Sequence, residues 1–215
     1  MSSLPVIAVV DYGAGNLRSV AKALIRSELD ARVTRDPAEV ASADAVVLPG
    51  VGAFADAASR LRESGLEDAV KESIESGRPY LGLCLGLQLL FDESDEHAVT
   101  PGFRFLRGRV ERFPKFDKDG STLRVPHIGW NEVRFSGSHP MIERLPERET
   151  YYFVHSYRPV PEDDSTVVGR CDYAGEFAVA VATEKLFAVQ FHPEKSQAAG
   201  KRLLDAFASW VESTR

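Results

Sequence analysis

Three short apolar segments constrain the fold more than any other feature of this 215-residue sequence. Residues 6–10 (VIAVV), 45–48 (AVVL) and 79–83 (PYLGL) lack the polar alternation of a half-exposed strand. Strands that are apolar on both faces are typical of parallel sheets covered by helices on either side. Apolar residues at helical spacing follow each segment. The N-terminal half therefore predicts a doubly wound arrangement of alternating strands and helices.

The pattern changes between about residues 105 and 182. Short β-like runs at 151–154, 166–168 and 177–181 are separated by glycine, proline and charged turns, which favours antiparallel strands. A last apolar strand at 187–191 stops at His192, and an amphipathic helix closes the chain. Because no linker or repeat interrupts this order, we predict a single domain over residues 1–215.

Composition excludes several classes of function. The net charge of −6 argues against non-specific binding to nucleic acid or to an anionic membrane, both of which need a basic face. The two cysteines, Cys84 and Cys171, are far apart and form no disulfide framework or zinc motif. The N-terminus lacks the pattern of a signal peptide, and no segment is apolar enough to span a bilayer. We therefore expect a soluble, cytoplasmic protein without metal or cofactor.

The most informative segment for chemistry is GLCLG at residues 82–86, between a predicted strand and a predicted helix. This arrangement indicates a nucleophile elbow with Cys84 in the place of serine. Side chains two residues from the nucleophile would crowd so sharp a turn, which explains Gly82 and Gly86. The start of a helix also favours the thiolate over the thiol. Taken alone, a cysteine such as Cys84 is more often a small buried residue of a leucine-rich core.

A base for this nucleophile follows the last predicted strand. His192 lies at the carboxyl end of that strand, where open α/β sheets form their ligand crevice. Glu194, across Pro193, is placed to accept a hydrogen bond from the imidazole and to orient it. Alone, the HPE sequence would be read as a polar turn. Together with the cysteine turn, it predicts a catalytic set of Cys84, His192 and Glu194.

These motifs resemble a known family. GLCLGLQ at residues 82–88 and FHPE at 191–194 resemble the Cys-His-Glu signature of class I glutamine amidotransferases. Four further segments are similar to the glutaminase subunits of imidazole glycerol phosphate synthases: VDYGAGNL at 10–17, LPGVGAF at 48–54, PHIGWN at 126–131 and YFVHSY at 152–157. The resemblance runs from about residue 7 to 210. It implies a three-layer, flavodoxin-like α/β fold with a mostly parallel central sheet and additional antiparallel strands.

The resemblance also implies a reaction and its site residues. The Cys84 thiolate would attack the side-chain amide of glutamine, and His192 would protonate the departing ammonia. The backbone N–H groups of Val51 and Leu85 are the expected oxyanion donors. Gln88 is equally readable as a polar residue on an apolar helix, and Cys171 matches no functional position. The residues implied to bind glutamine are Gly52, Gln88, Glu96, His155, Ser156 and Tyr157.

A partner is implied as well. Glutaminase subunits of this kind form a heterodimer with a (β/α)8-barrel cyclase, which uses the ammonia in histidine biosynthesis. Asn16, Trp130 and Lys195 are the residues at which we expect contacts with it, although a tryptophan is more often part of a core. Alone, the segment PGVG at residues 49–52 would be a tight turn between a strand and a helix. With the resemblance, it predicts a switch operated by the partner, because glycines flank a peptide able to turn its N–H or its C=O toward the oxyanion.

Three alternatives remain open at this point. Residues 50–55 (GVGAFA) match the Gly-x-Gly-x-x-Ala pattern of dinucleotide-binding domains, with Glu72 or Glu75 near the distance of the ribose acid. The same catalytic set would also serve an amidotransferase of anthranilate, guanylate or pyridoxal phosphate synthesis. A non-catalytic regulatory homologue is the third alternative, which the intact Cys-His-Glu set disfavours.

Overall fold

The computed structural model describes residues 3–13 and 15–215. Met1, Ser2 and Ala14, the last of which belongs to the segment at 10–17, lie outside the described residues. The strands are β1 (Val6–Val10), β2 (Asp30–Thr34), β3 (Ala45–Gly50), β4 (Tyr80–Cys84), β5 (Phe91–Ser94), β6 (Thr100–Pro101), β7 (Leu106–Arg112), β8 (His127–Phe135), β9 (Arg148–His155), β10 (Tyr157–Pro161), β11 (Val167–Asp172), β12 (Glu176–Thr183) and β13 (Leu186–Val189). The helices are α1 (Leu17–Ile25), α2 (Pro37–Ser42), α3 (Phe54–Glu63), α4 (Leu66–Glu75), α5 (Leu85–Gln88) and α6 (Gln197–Ser213).

A nine-stranded sheet with the order β2-β1-β3-β4-β13-β12-β11-β8-β9 forms the centre of the described fold. The first five strands in this order are parallel, and the remaining pairs are antiparallel. The predicted α/β class, with a mostly parallel sheet and additional antiparallel strands, is confirmed. Parallel pairing brings the carboxyl ends of β3, β4 and β13 to one edge of the sheet, where the candidate site lies.

Helices cover both faces of this sheet, which gives the three layers. One core packs α1 and α6 against the sheet, with Leu24, Leu203 and Phe207 fully buried. The other core packs α2, α3, α4 and α5 against the opposite face. Burial on both faces is the reason why β1, β3 and β4 read as continuous apolar runs.

Two features differ from the sequence prediction. A separate four-stranded sheet with the order β10-β7-β5-β6 was not anticipated. The helix predicted after Cys84 is only four residues long and ends at Gln88. The carbonyls of Leu89 and Leu90 instead accept hydrogen bonds from Phe103 and Phe105, because β5 begins there and joins the second sheet. Within residues 3–13 and 15–215, no helix combines the length and the apolar character needed to cross a bilayer.

Candidate active site

Cys84 sits at a strained junction between β4 and α5. Its φ of 53° and ψ of −100° form a backbone conformation that residues with a side chain rarely adopt. A Cβ on Gly82 would lie 2.6 Å from the carbonyl oxygen of Gly86, and one on Gly86 would lie 1.9 Å from that of Leu48. Both glycines are therefore required by close backbone approach, as predicted. The turn directs an almost buried thiol to the ligand edge of the sheet.

The imidazole and carboxylate expected beside Cys84 form a hydrogen-bonded pair. Strand β13 lies next to β4, and the chain leaves β13 through His192 into a 3-10 turn at Pro193–Lys195. His192 Nδ1 and Glu194 Oε1 are 2.9 Å apart, and both side chains are nearly inaccessible to solvent. This bond requires the proton on Nδ1, so the Nε2 atom is the one available to Cys84.

The protonation of His192 depends on its two neighbours. Burial by itself lowers the pKa of the imidazole, but the Cys84 thiolate and the Glu194 carboxylate more than offset this and raise it to about 10. Among the described residues, Nε2 has no hydrogen bond of normal geometry. Such bonds are often long in unliganded enzymes and shorten around the substrate. The site therefore favours the protonated imidazolium form of His192 at neutral pH.

Asn16 contacts this pair. Its side-chain Nδ2 donates to Glu194 Oε1 at 2.9 Å, across 178 positions of sequence. Asn16 occupies the N-cap position of α1 with a left-handed φ of 67°, but its side chain makes no cap hydrogen bond. The carboxamide of Asn16 therefore does not cap α1, because it is engaged by Glu194. Asn16 is exposed as a whole, so it connects the protein surface to the buried carboxylate of Glu194 through one hydrogen bond.

A cavity of about 390 Å³ opens next to Cys84. That volume lies within the usual range for small-molecule sites. Several residues predicted from the sequence meet at this cavity, whereas Asn16, Trp130, His192 and Glu194 are not part of its wall. The lining residues are Val51, Gly52, Cys84, Leu85, Gln88, Glu96, Pro126, Val154, His155, Ser156, Tyr157 and Lys195.

The two side chains predicted to meet the amino-acid end of glutamine have separate anchors. Glu96 Oε2 accepts a hydrogen bond of 2.7 Å from the backbone N–H of Phe54, the first residue of α3. Ala53, the N-cap residue of α3, has no side-chain acceptor for the first N–H groups of the helix. The Glu96 carboxylate supplies this acceptor. Gln88 donates to the carbonyl of Tyr157 at 3.0 Å. Gln88 thus lines the cavity with its donor group already engaged.

The predicted oxyanion segment follows β3. Gly50 is the register partner of Cys84, which places Val51 directly beyond the nucleophile. A Cβ on Gly50 would lie 2.5 Å from that of Leu85 and 2.6 Å from the hydroxyl of Tyr12, so packing alone demands glycine there. A Cβ on Gly52 would meet none of the described residues within 4 Å, but the φ of Gly52 is 102°, so it is glycine for its backbone conformation.

His155 has a structural side chain. Its Nδ1 donates to the carbonyl of Tyr157 at 2.8 Å, and its Nε2 lies 3.1 Å from Nδ1 of His127. Burial lowers the pKa of His155 to about 3 and that of His127 to about 4, so both rings are neutral at pH 7. The hydrogen bonds from His127 through His155 to the carbonyl of Tyr157 hold residues 155–157 in the position in which they line the cavity.

Gln190 is a site residue that the sequence analysis missed. It is fully buried, and its Nε2 lies 3.5 Å from the sulfur of Cys84. Its Oε1 accepts from Gln88 at 3.1 Å. The sequence does contain a signal for it. Side chains two residues apart in extended chain share a face, and Gln190 is the polar residue two positions before His192 in an apolar run.

An exposed apolar surface lies beside the cavity. We call it the Trp130 patch and define it by Ile128, Trp130, Tyr152 and Lys195. Trp130 is 50% exposed and Ile128 59% exposed. Trp130 packs edge-on against Tyr152 with ring centroids 6.0 Å apart, and Lys195 Nζ lies 5.7 Å from the Tyr152 ring centre. The alternative of a core tryptophan is therefore excluded for Trp130.

The structure does not place Glu72 or Glu75 where a dinucleotide-binding domain needs its acidic residue. Glu72 and Glu75 both lie on α4, whereas a ribose-binding acid should end the strand that follows the first helix. Gly50 and Gly52 are explained by packing and by backbone conformation, as described above. No part of the dinucleotide pattern therefore needs a nucleotide to account for it.

Comparison with known proteins decides the family. A family model described as glutamine amidotransferase class-I matches residues 8–209. The chain belongs to the class-I glutamine amidotransferase family. This amidotransferase is 49% identical over 203 residues to the imidazole glycerol phosphate synthase subunit HisH of Syntrophotalea carbinolica, covering 94% of this chain and 98% of that one. The subunit of the same name from Geobacillus thermodenitrificans is 45% identical over 208 residues, covering 97% of this chain and 97% of that one.

Solved structures share the fold of this amidotransferase. PurLQS from Thermotoga maritima superposes with a TM-score of 0.74 at 20% identity, covering 99% of this chain and 100% of that one. The glutaminase domain of Trypanosoma brucei CTPS, with bound acivicin, gives a TM-score of 0.63 at 17% identity over 97% and 94% of the two chains. At these identities the likeness shows the common fold alone.

The charge state of His192 gives a pH prediction for the amidotransferase. Protonated His192 is the form able to give a proton to departing ammonia. Because its pKa is raised from 6.5 to about 10, kcat/KM for glutamine is expected to stay high through neutral pH and to fall as pH approaches 10. Glu194→Gln removes one group that raises this pKa, so the alkaline limb should move to lower pH. An unchanged limb in Glu194→Gln would show that Glu194 does not control this proton.

Proposed function

We propose that this chain is the glutamine-hydrolysing subunit of an imidazole glycerol phosphate synthase, with Cys84 as nucleophile, His192 as general acid and base, and Glu194 as the group that orients His192. The observation that carries the proposal is the strained Cys84 turn beside a hydrogen-bonded His192–Glu194 pair, at the edge of a small-molecule cavity. The names of the curated relatives support the choice of synthase.

In the proposed reaction, the Cys84 thiolate attacks the side-chain amide carbon of glutamine. The C–N bond breaks as His192 gives its proton to the nitrogen, which releases ammonia and leaves a glutamyl thioester. Neutral His192 then takes a proton from water while the water oxygen attacks the thioester carbon. The C–S bond breaks, glutamate leaves, and the thiolate–imidazolium pair is restored.

Each attack places negative charge on the former carbonyl oxygen. The backbone N–H of Leu85, directly after the nucleophile, is one proposed donor to this oxyanion. The N–H of Val51 is the second, and the register of Gly50 opposite Cys84 supports it. Donors of this kind act strongly because they are held in place before charge develops.

The charged end of glutamine is proposed to lie toward Glu96 and Gln88. Glu96 has one oxygen engaged by Phe54, which leaves the other for the α-ammonium group. Gln88 has its N–H₂ engaged, so its carbonyl oxygen is the atom it offers to the same group. Gly52 and the main chain of residues 155–157 complete the site from the other walls of the cavity.

The partner is proposed to be a (β/α)8-barrel cyclase that docks over the Trp130 patch and receives the ammonia. Aromatic side chains such as those of Trp130 and Tyr152 are enriched in the centres of such interfaces. Lys195 belongs both to the patch and to the cavity wall, so the docking surface reaches the mouth of the site. Asn16, bonded to Glu194, gives the partner a second route to the catalytic residues.

Stimulation by the liganded partner tests this function. Turning the Gly50–Val51 peptide so that it offers the Val51 N–H and not the Gly50 C=O adds an oxyanion donor, and one such donor changes rates by roughly 100- to 1,000-fold. We therefore expect glutamine turnover to be slow in the isolated chain and to rise about that much in the complex with the cyclase substrate or an analogue. The partner must bind the active arrangement more tightly for this to occur. We also expect the Val51 N–H of the unliganded protein to point away from Cys84.

A pair of matched variants controls for general damage. Trp130→Ala should weaken stimulation but leave the slow turnover of the isolated chain unchanged. Leu4 is similarly exposed but precedes β1, at the opposite edge of the sheet from Cys84, so Leu4→Ala should preserve stimulation. Equal turnover by the isolated chain, the complex and the liganded complex would refute the switch.

A further inference from the structure

We infer that Gln190 is a positioning residue for the nucleophile: its buried side-chain amide donates to the Cys84 sulfur and is held in that orientation by Gln88. The inference rests on the proposed function of the same site and adds a residue to it. The contacts are 3.5 Å from Gln190 Nε2 to the sulfur and 3.1 Å from Gln88 Nε2 to Gln190 Oε1.

Cys84, Gln190, Gln88 and the carbonyl of Tyr157 form a series of hydrogen bonds, and the carbonyl of Tyr157 determines the direction of each. The carbonyl of Tyr157 has no hydrogen to give, so the Gln88 atom 3.0 Å from it must be the nitrogen. That nitrogen also meets Gln190, whose facing atom must then be the oxygen. The remaining atom of the Gln190 amide is the N–H₂ group, and it is directed at Cys84. The sulfur therefore meets a donor.

Burial increases the effect of this donor. Gln190 has no exposed surface, and Cys84 is only 7% exposed, so few waters can solvate a thiolate there. A hydrogen bond to a charged group in such surroundings is stronger than one between neutral groups in water. Gln190 favours the anionic sulfur and restricts the direction from which it attacks. Because Gln88 lines the cavity, the orientation of Gln190 is also linked to the wall that meets the substrate.

Isosteric variants separate donation from packing. Gln190→Met keeps the length and removes the donor. Gln190→Glu keeps the shape and the oxygen that accepts from Gln88, but presents carboxylate oxygen to the sulfur. Gln197→Met is the matched control, because Gln197 is exposed and makes no hydrogen bond to Cys84 among the described residues. The full-length chain is used throughout, alone for alkylation and with its liganded partner for turnover.

The first readout is the pH profile of Cys84 alkylation by iodoacetamide. Loss of one charge-assisted donor is expected to move the acid limb of Gln190→Met upward by about one pH unit, which is roughly a tenfold loss of rate at the foot of the limb. Gln190→Glu should lose more, because like charges repel. In turnover, kcat should fall about tenfold or more with little change in KM. Gln190 would be assigned to packing alone if Cys84 of Gln190→Glu were alkylated with the wild-type pH profile. A raised KM with unchanged kcat would lead to the same conclusion.

A measurement on the unsubstituted protein covers the case in which Gln190→Met does not fold. The side-chain amide resonance of Gln190 should shift when Cys84 is alkylated, whereas that of Gln197 should not. An unmoved Gln190 resonance would overturn the inference. Failure of the proposed function is distinguishable, because a wild-type chain that never hydrolyses glutamine would still yield the alkylation profiles.

Discussion

Cys84→Ser is expected to lower glutamine hydrolysis by about 10⁴-fold or more in the liganded complex. A serine hydroxyl beside the same imidazole is far less ionised than a thiol, and the chemistry passes through the ionised form. The strained turn should survive, since serine differs from cysteine by one atom and the flanking glycines are unchanged. The measurement is glutamate release by the complex with the cyclase substrate present.

Two controls accompany this variant. The partner's reaction should continue when ammonia is added directly, because the substitution removes only the ammonia source. Cys171→Ser is the matched substitution. Cys171 is buried on β11, where burial raises the pKa of its thiol to about 12, and its replacement should leave glutamine hydrolysis intact. Loss of both reactions in a folded Cys84→Ser complex would assign Cys84 to assembly.

His192→Ala should be the second most damaging change, with a loss of about 10⁴-fold or more. In the proposed reaction, it removes the group that protonates ammonia and also the cation that stabilises the thiolate. Glu194→Gln should lose less, roughly 10²- to 10⁴-fold, because the imidazole remains and a carboxamide oxygen can still accept from Nδ1. Asn16 should help to retain that geometry, since it contacts the same oxygen of Glu194.

Single-turnover formation of the glutamyl thioester is the measurement that orders these variants, since it isolates the step at which His192 protonates ammonia. Both variants must keep the thermal unfolding temperature of the wild type, because His192 and Glu194 are buried and their replacement could also destabilise the fold. A Glu194→Gln enzyme as inactive as His192→Ala would mean that the charge of Glu194, and not its orienting bond, is what the imidazole needs.

The fold was predictable where apolar patterning is local. β1, β3 and β4 were predicted from runs of apolar residues. The second sheet escaped prediction because β5 and β6 are short and because β7 pairs with β10, which lies far along the chain. The end of α5 escaped it for the same reason, since a later segment takes the carbonyls of Leu89 and Leu90.

What the sequence by itself determined is the set of reactive groups and the turns that present them. The glycines around Cys84 and the two-residue spacing of His192 and Glu194 are local properties, because backbone sterics act over a few bonds. Only the tertiary structure decided which groups meet. The Asn16–Glu194 and Gln190–Cys84 bonds join positions 178 and 106 residues apart. They exist because parallel pairing of β1, β3, β4 and β13 brings separate strand ends to one edge, and no local pattern specifies that register.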